Sequence, residues 1–426
     1  MADPASKSTD SSSSSYSWWD EWPQDFDGTG LFERLTDEPP LFRFSVQDIL
    51  DEVKDNVGSR VIGVPCVSSG SNYFGMHVKL DDGKDTMLRI RRCDVNWPRY
   101  DGFPIDTLAI EVEFEAATYR LLRAQPEILA SKLLYYRGPV QRKDKDPTEI
   151  PKDLVGRQLF VFEKAEGANN VWPADRDKKL AILTQCASMR AALFRFELPL
   201  DFVKLWLPQC SPNPKISPDI ITPTRQFVID FLLSKVQEMI KNEGDMIGWE
   251  SDHNTVGPIA FKAKGSLLRL IPLIFPPEGV HACYRLVLEH GDFGIHNMTI
   301  TDSDTPAVTS LYDWETGHIV PAILSDPQIA THVDFELDGD GVPVLSRLPD
   351  GATAEYIADY EGYAKHYFKV LDECAPEYIP IVKAGKDARH IWFALKAWRG
   401  EDPEGYFGTL GSWADGRWRE LAPVNV

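Results

Sequence analysis

The chain has 426 residues, 43% of them hydrophobic and 26% charged, which suits one large or two ordinary globular domains and excludes a wholly disordered protein. A net charge of -20 at pH 7 argues against a nucleic-acid partner and is compatible with a cationic small-molecule substrate. Cys66, Cys93, Cys186, Cys210, Cys283 and Cys374 are scattered without a C-x-x-C pair, as expected of buried free thiols in a reducing compartment rather than a disulfide frame or a zinc site. No basic-then-apolar leader opens the chain and no apolar run approaches about 18 residues, so a cytoplasmic protein with no membrane span is expected.

Serine dominates Met1 to Ser17, which predicts disorder, and Trp18, Trp19 and Trp22 follow among acids and are expected to dock on the body. Residues 1–40 are therefore read as a disordered or loosely docked N-terminal segment. Val46 to Val53 predicts a short helix. Strands are expected at Val61 to Val67, Gly75 to Leu80 and Thr86 to Arg91, with Asp81, Asp82 and Gly83 as a tight turn between the last two. Between the first two strands, Ser69, Gly70 and Ser71 are small enough for backbone amides to approach phosphates. In the third, a period of two puts Leu88 and Ile90 on one face and Met87, Arg89 and Arg91 on the other.

A helix is expected over Ile110 to Ala124, an exposed polar loop over Pro139 to Pro151 and an apolar strand over Gln158 to Phe162. Helical spacing recurs at Lys178 to Phe196, Phe227 to Ile240 and Gly265 to Ile274. It returns at Thr353 to Leu371, Lys386 to Trp398 and Trp413 to Leu421. Asp359 and Glu361 on these helices are expected to face solvent, the alternative being that they face an amine.

The stretch L-E-H-G-D-F-G-I-H-N-M-T-I, followed by a polar turn and S-L-Y-D-W-E, carries the chemistry. Met298 to Ile300 and Ala307 to Tyr312 read as a hairpin that returns Asp313 to the side of Asn297. Phosphoryl transfer asks a protein chiefly for positioning and charge neutralisation: a carboxylate for the acceptor hydroxyl, and an amide oxygen with a second carboxylate for Mg²⁺. Asp292, Asn297 and Asp313 supply those groups in that order, Asp292 as base and the other two as metal ligands.

The spacing H-G-D-x-x-x-x-N, with D-W-E downstream, resembles the aminoglycoside phosphotransferase and choline kinase group, the small-molecule branch of the protein-kinase-like fold. His296 before the asparagine resembles the large fungal branch. The resemblance implies an α+β, bilobal fold, with an antiparallel-sheet N-lobe and hinge over residues 41–167 and a mostly helical C-lobe over 168–426. It implies ATP and Mg²⁺ as cofactors and a small-molecule hydroxyl acceptor. Arg89 stands where such folds carry a phosphate-binding lysine, with Arg91 as the rival position, and Glu115 is the expected partner of Arg89. Glu163 and Ala165 belong to the implied hinge that meets the adenine. His290 is expected to brace the loop, and His296 to pack, to cap or to touch the acceptor. Trp314 is expected to pack beneath the site, Glu315 to hold a water of the metal, and Asp326 to brace. A nucleotide-binding pseudokinase is the alternative; a protein kinase fits less well, since no A-P-E segment follows D-W-E.

Overall fold

In the computed structural model, the described residues are 46–70, 72–98, 100, 102–143, 148–210, 221–240, 242–243, 255–278, 281–399 and 401–422. The N-terminal segment, with its three tryptophans, and Ser71 lie outside them. The chain divides into two compact units, one from residues up to Val112 with Lys132–Lys164, the other from Glu113–Ser131 with Ala165 onward.

The first unit is built on a five-stranded antiparallel sheet. Helix α1 (Val46–Val57) precedes β1 (Val61–Ser69), β2 (Tyr73–Leu80) and β3 (Asp85–Arg91); after α2 (Ile105–Leu122) come β4 (Leu133–Arg137) and β5 (Leu159–Glu163). Spatial order is β1-β2-β3-β5-β4. Alternation dictates the two faces. Phe74, Met76 and Val78 of β2 and Leu88 and Ile90 of β3 are buried with Ile49 and Val53 of α1 in one core, each side chain contributing about 1.5–3 kcal/mol. Glu52 of α1 binds Arg137 of β4 through two oxygens, at 2.6 and 3.0 Å, which locks the helix across the sheet. The expected turn is present. Leu80 donates to Lys84 O at 2.9 Å, and Gly83 takes φ +83°, which favours glycine.

The second unit is mostly helical, with small sheets that carry the motif. Its elements are β6 (Ala168–Asn169), α3 (Arg176–Arg195), α4 (Leu200–Cys210), α5 (Arg225–Met239), α6 (Pro258–Leu270), β7 (Leu286–Glu289), β8 (Met298–Ile300) and β9 (Val308–Leu311). Next come β10 (His318–Pro321), β11 (Ile329–Ala330), β12 (Asp334–Leu337), β13 (Pro343–Ser346), α7 (Ala354–Cys374), α8 (Tyr378–Ala384), α9 (Lys386–Ala397) and α10 (Pro403–Leu421). Asp175 and Thr353 cap α3 and α7 through their side chains, which explains where those helices begin.

The structure departs from the sequence reading in several places: α2 starts at Ile105 rather than Ile110, and α4, α8 and β10–β13 were not anticipated. Helix α6 starts seven residues before the expected Gly265. Pro258 fits the first turn, and Glu404 accepts from the amides of Ile259 and Ala260 at 2.9 Å each, placing a negative charge at the helix N-terminus. Helix α10 starts at Pro403 rather than Trp413, running through Gly405, Gly408 and Gly411. Gly411 is needed there, because a Cβ would lie 2.4 Å from the Ala263 Cβ of α6. Strand β4 was not anticipated; Leu134 is exposed, the other four residues are partly buried, and there is no clean alternation. The exposed loop over Pro139 to Pro151 is described except for residues 144–147. Among the described residues no helix is long and apolar enough to cross a membrane.

Candidate active site

The motif sits on paired strands. β7 is wholly buried and pairs antiparallel with β10, His318 opposite Glu289, so the segment leaving β7 is anchored at its root. Gly291 then takes φ +79°, and a Cβ there would lie 2.2 Å from Thr316 O. The glycine of H-G-D is therefore dictated by the close passage of the D-W-E segment. His290 is fully buried and its Nε2 donates to Tyr312 O at 2.7 Å, since a carbonyl only accepts. Burial pushes its pKa down to about 4, so the ring is neutral, and its ring lies 4.6 Å from that of the equally buried Trp314. Thr316 Oγ1 donates to His290 O at 2.9 Å. His290 and Trp314 thus brace the site from beneath, as anticipated.

Asp292 follows, with its side chain half exposed. Asn297, only 5% exposed, donates through Nδ2 to the Asp292 carbonyl at 2.9 Å and to Asp292 Oδ2 at 3.1 Å. His296 Nε2 meets the same Oδ2 at 3.0 Å. That bond holds the Asp292 carboxyl below the usual carboxylate range and raises the histidine, with burial opposing both shifts.

Asp313 is brought back by the hairpin. β8 and β9 pair antiparallel with Met298 opposite Leu311, and Tyr312 N extends the ladder to Asn297 O at 3.0 Å. Asp313 is the next residue, and it is held at φ +68°, ψ +54°, a left-handed conformation that aspartate tolerates better than most side chains. Its amide donates to Tyr119 Oη of α2 at 3.0 Å. The structure therefore brings Asp292, Asn297 and Asp313 to one hairpin and its loop.

The other expected residues are distributed as follows. Ser69 ends β1. The Gly70 amide donates to Tyr73 O at 2.8 Å, closing a tight β1–β2 connection. Arg89 lies on the β3 face opposite the core, its guanidinium 3.9 Å from the centre of the Tyr73 ring. Arg91 shares that face and donates to Gln158 Oε1 at 3.3 Å. Glu163 ends β5 beside Lys132, with which it forms an ion pair. These belong to the first unit. Glu115, 1% exposed on α2, and Ala165 belong to the second. Asp359 and Glu361 face solvent, as expected.

Several site residues escaped sequence reasoning. Glu289 is buried and accepts the Asp326 amide through Oε1, while Oε2 faces His318 Nε2 at 3.1 Å. Burial would raise its pKa, but His318, Lys396 and Arg190 outweigh that and hold it well below the ordinary value. Arg190 of α3 donates to the carbonyls of Asp326 and Gln328. The Asp326 main chain thus ties the root of the motif to α3, while its carboxylate accepts the Gln328 amide at 3.2 Å. A small solvent-open pocket of about 50 Å³ adjoins Asp292, lined also by Arg190, Glu289, Asp326, Arg347 and Lys396. Arg347 and Lys396 carried no sequence signal because neither lies in a motif.

No family model matches the chain, and no curated protein does either. Among solved structures the chain is similar to a spectinomycin phosphotransferase in complex with ADP and spectinomycin, at 9% identity over 87% of this chain and 98% of that one, TM-score 0.36. It is also similar to a macrolide 2'-phosphotransferase from Brachybacterium faecium, at 12% identity over 89% and 99%, TM-score 0.37. A third similarity is to a thermostable mutant of an aminoglycoside phosphotransferase in ternary complex with AMP-PNP and hygromycin B, at 14% identity over 88% and 99%, TM-score 0.41.

Proposed function

We propose that the protein is an ATP-dependent O-phosphotransferase that phosphorylates a hydroxyl of a small metabolite, a cationic one being compatible with the chain's net charge, with Asp292 as the catalytic base. The observation that carries this reading is the Asp292 carboxylate. It is half exposed beside a polar pocket, with Oδ2 engaged by His296 and Asn297 and Oδ1 without a hydrogen bond among the described residues. An oxygen left open on a held carboxylate is what a base needs. A binding module would not need it, which weighs against the pseudokinase alternative.

Mg²⁺ fits the donors present. The Asn297 amide turns its nitrogen to Asp292, leaving Oδ1 without a described bond, and Asp313 adds a carboxylate one residue beyond the hydrogen bond that ties the two strands. Both are hard oxygen ligands, and a cation that keeps several waters needs few of them. When bound, the ion would neutralise charge on the nucleotide phosphates. Asp292 takes the proton of the acceptor hydroxyl while His290 and Trp314 keep the loop in register. Arg89 is assigned to the phosphates with Glu115 orienting it, Ser69, Gly70 and Ser71 to the phosphate loop, and Glu163 and Ala165 to the adenine. The D-x-x-x-H-N version of the motif fits the fungal branch of the resembled group. Free thiols at Cys66, Cys186, Cys283 and Cys374, buried or partly buried, fit work in the cytoplasm, whereas Cys93 is exposed and departs from the expected burial.

The test is transfer of label from Mg·ATP to a metabolite extract by the parent and by Asp292→Ala. A labelled small molecule is expected from the parent alone, the variant falling by on the order of 10² to 10⁴. Equal labelling by both would overturn the assignment of the base, and nucleotide binding with no labelling by either would favour the pseudokinase.

A further inference from the structure

Both described hydrogen bonds to the Asp292 carboxylate fall on one oxygen. His296 Nε2 lies 3.0 Å and Asn297 Nδ2 3.1 Å from Oδ2, and none reaches Oδ1. Two donors on one oxygen stop the carboxylate from rotating. Asn297 has a second use in the proposed metal site, whereas His296 has none there.

The imidazole is itself seated. A Cβ on Gly294 would lie 2.6 Å from His296 Cε1 and 2.7 Å from Nδ1, so the ring occupies the space a side chain would fill. The His296 carbonyl accepts from Tyr312 Oη at 2.7 Å, fixing the backbone that carries the ring. The two side chains are 39% and 50% exposed, so the bond lies at the surface where an acceptor would arrive.

We propose that His296 is a positioning residue that grips Asp292 by Oδ2, so that Oδ1 alone is presented to the acceptor hydroxyl. The inference rests on the phosphotransferase reading. In the reaction, the hydroxyl proton passes to Oδ1 and the acceptor oxygen forms its bond to the γ-phosphorus. The bond from that phosphorus to the bridging oxygen breaks, and ADP leaves with the electron pair. His296 keeps its bond to Oδ2 throughout and gains or loses no atom. Without it, one of the two restraints on the carboxylate is gone, and fewer encounters find a correctly aimed lone pair.

The experiment uses water as the acceptor, following phosphate release from Mg·ATP by the full chain. His296→Ala is expected to lower kcat by about ten- to a hundredfold, the loss of one hydrogen bond to a charged group, with KM for Mg·ATP unchanged. His296→Gln, whose amide N–H can meet the same oxygen, is expected to recover most of that loss, which a general folding defect would not allow. Parent-like kcat in the alanine variant, or no recovery with glutamine, overturns the proposal. A second measurement does not depend on turnover: the Nε2 nitrogen resonance of His296 at fixed pH, in the parent and in Asp292→Asn, assigned by its absence in His296→Gln. A shift is expected, and an unchanged resonance overturns the grip. Absence of phosphate release from the parent, together with a shifted resonance, would count against the enzyme reading and leave the grip standing.

Discussion

The Asp313 amide donates to Tyr119 Oη at 3.0 Å, across 194 positions of sequence, so a helix hydroxyl fixes the backbone of a carboxylate held in the left-handed region. Tyr119→Phe keeps the ring and removes the acceptor. It should cost about 1 kcal/mol in urea unfolding. Phosphate transfer should fall by on the order of ten- to a hundredfold as Asp313 loses its fixed pose. Unchanged transfer with reduced stability would separate Tyr119 from the chemistry.

Gly291→Ala meets two obstacles together: a positive φ and a carbonyl 2.2 Å from the new Cβ. We expect destabilisation of about 2 kcal/mol or more, read as a lower denaturation midpoint. A midpoint equal to the parent's would mean that the D-W-E segment can move aside freely.

His290 sets a pH dependence of stability. Folded, it stays neutral down to about 4, because burial opposes its charge; unfolded, it takes up a proton near 6.5. Between those values the unfolded chain binds more protons, so stability is full above about pH 6.5 and falls as pH drops towards 4, by at most about 3 kcal/mol. In His290→Gln, which retains a donor for Tyr312 O, unfolding measured across that window should lose this slope. An identical slope in the variant would place the titration elsewhere.

Asn297→Ala removes the donor to Asp292 and the oxygen proposed for Mg²⁺. Transfer should fall by more than about a hundredfold, in line with the several kcal/mol that charge neutralisation contributes. A magnesium titration is the check. A parent-like activity and Mg²⁺ requirement would remove Asn297 from the ligand set.

The parts of the fold visible in the sequence are those written in local periods. The alternation of Leu88 and Ile90 with Arg89 and Arg91 gave the faces of β3, and the Met298–Ile300 and Ala307–Tyr312 runs gave the hairpin that carries Asp313. The parts that stayed hidden depend on distant chain. The true start of α6 needs Glu404, 144 and 145 residues away, and the bracing of Glu289 needs the Asp326 amide, 37 residues on. The His296–Asp292 bond spans four residues, but the loop is not an α-helix, so no periodic rule exposes it. Strand β4 has no fully buried residue and so no alternation of buried and exposed positions to read.

The Glu404 cap also constrains the order in which the second unit can be completed. During synthesis, residues 258–270 emerge long before the carboxylate that satisfies the amides of Ile259 and Ala260 exists. A contact so remote in sequence carries a large loop-closure cost, which slows folding. Until residues 403–421 have been made, the amides of Ile259 and Ala260 lack this acceptor and the Ala263 seam lacks Gly411.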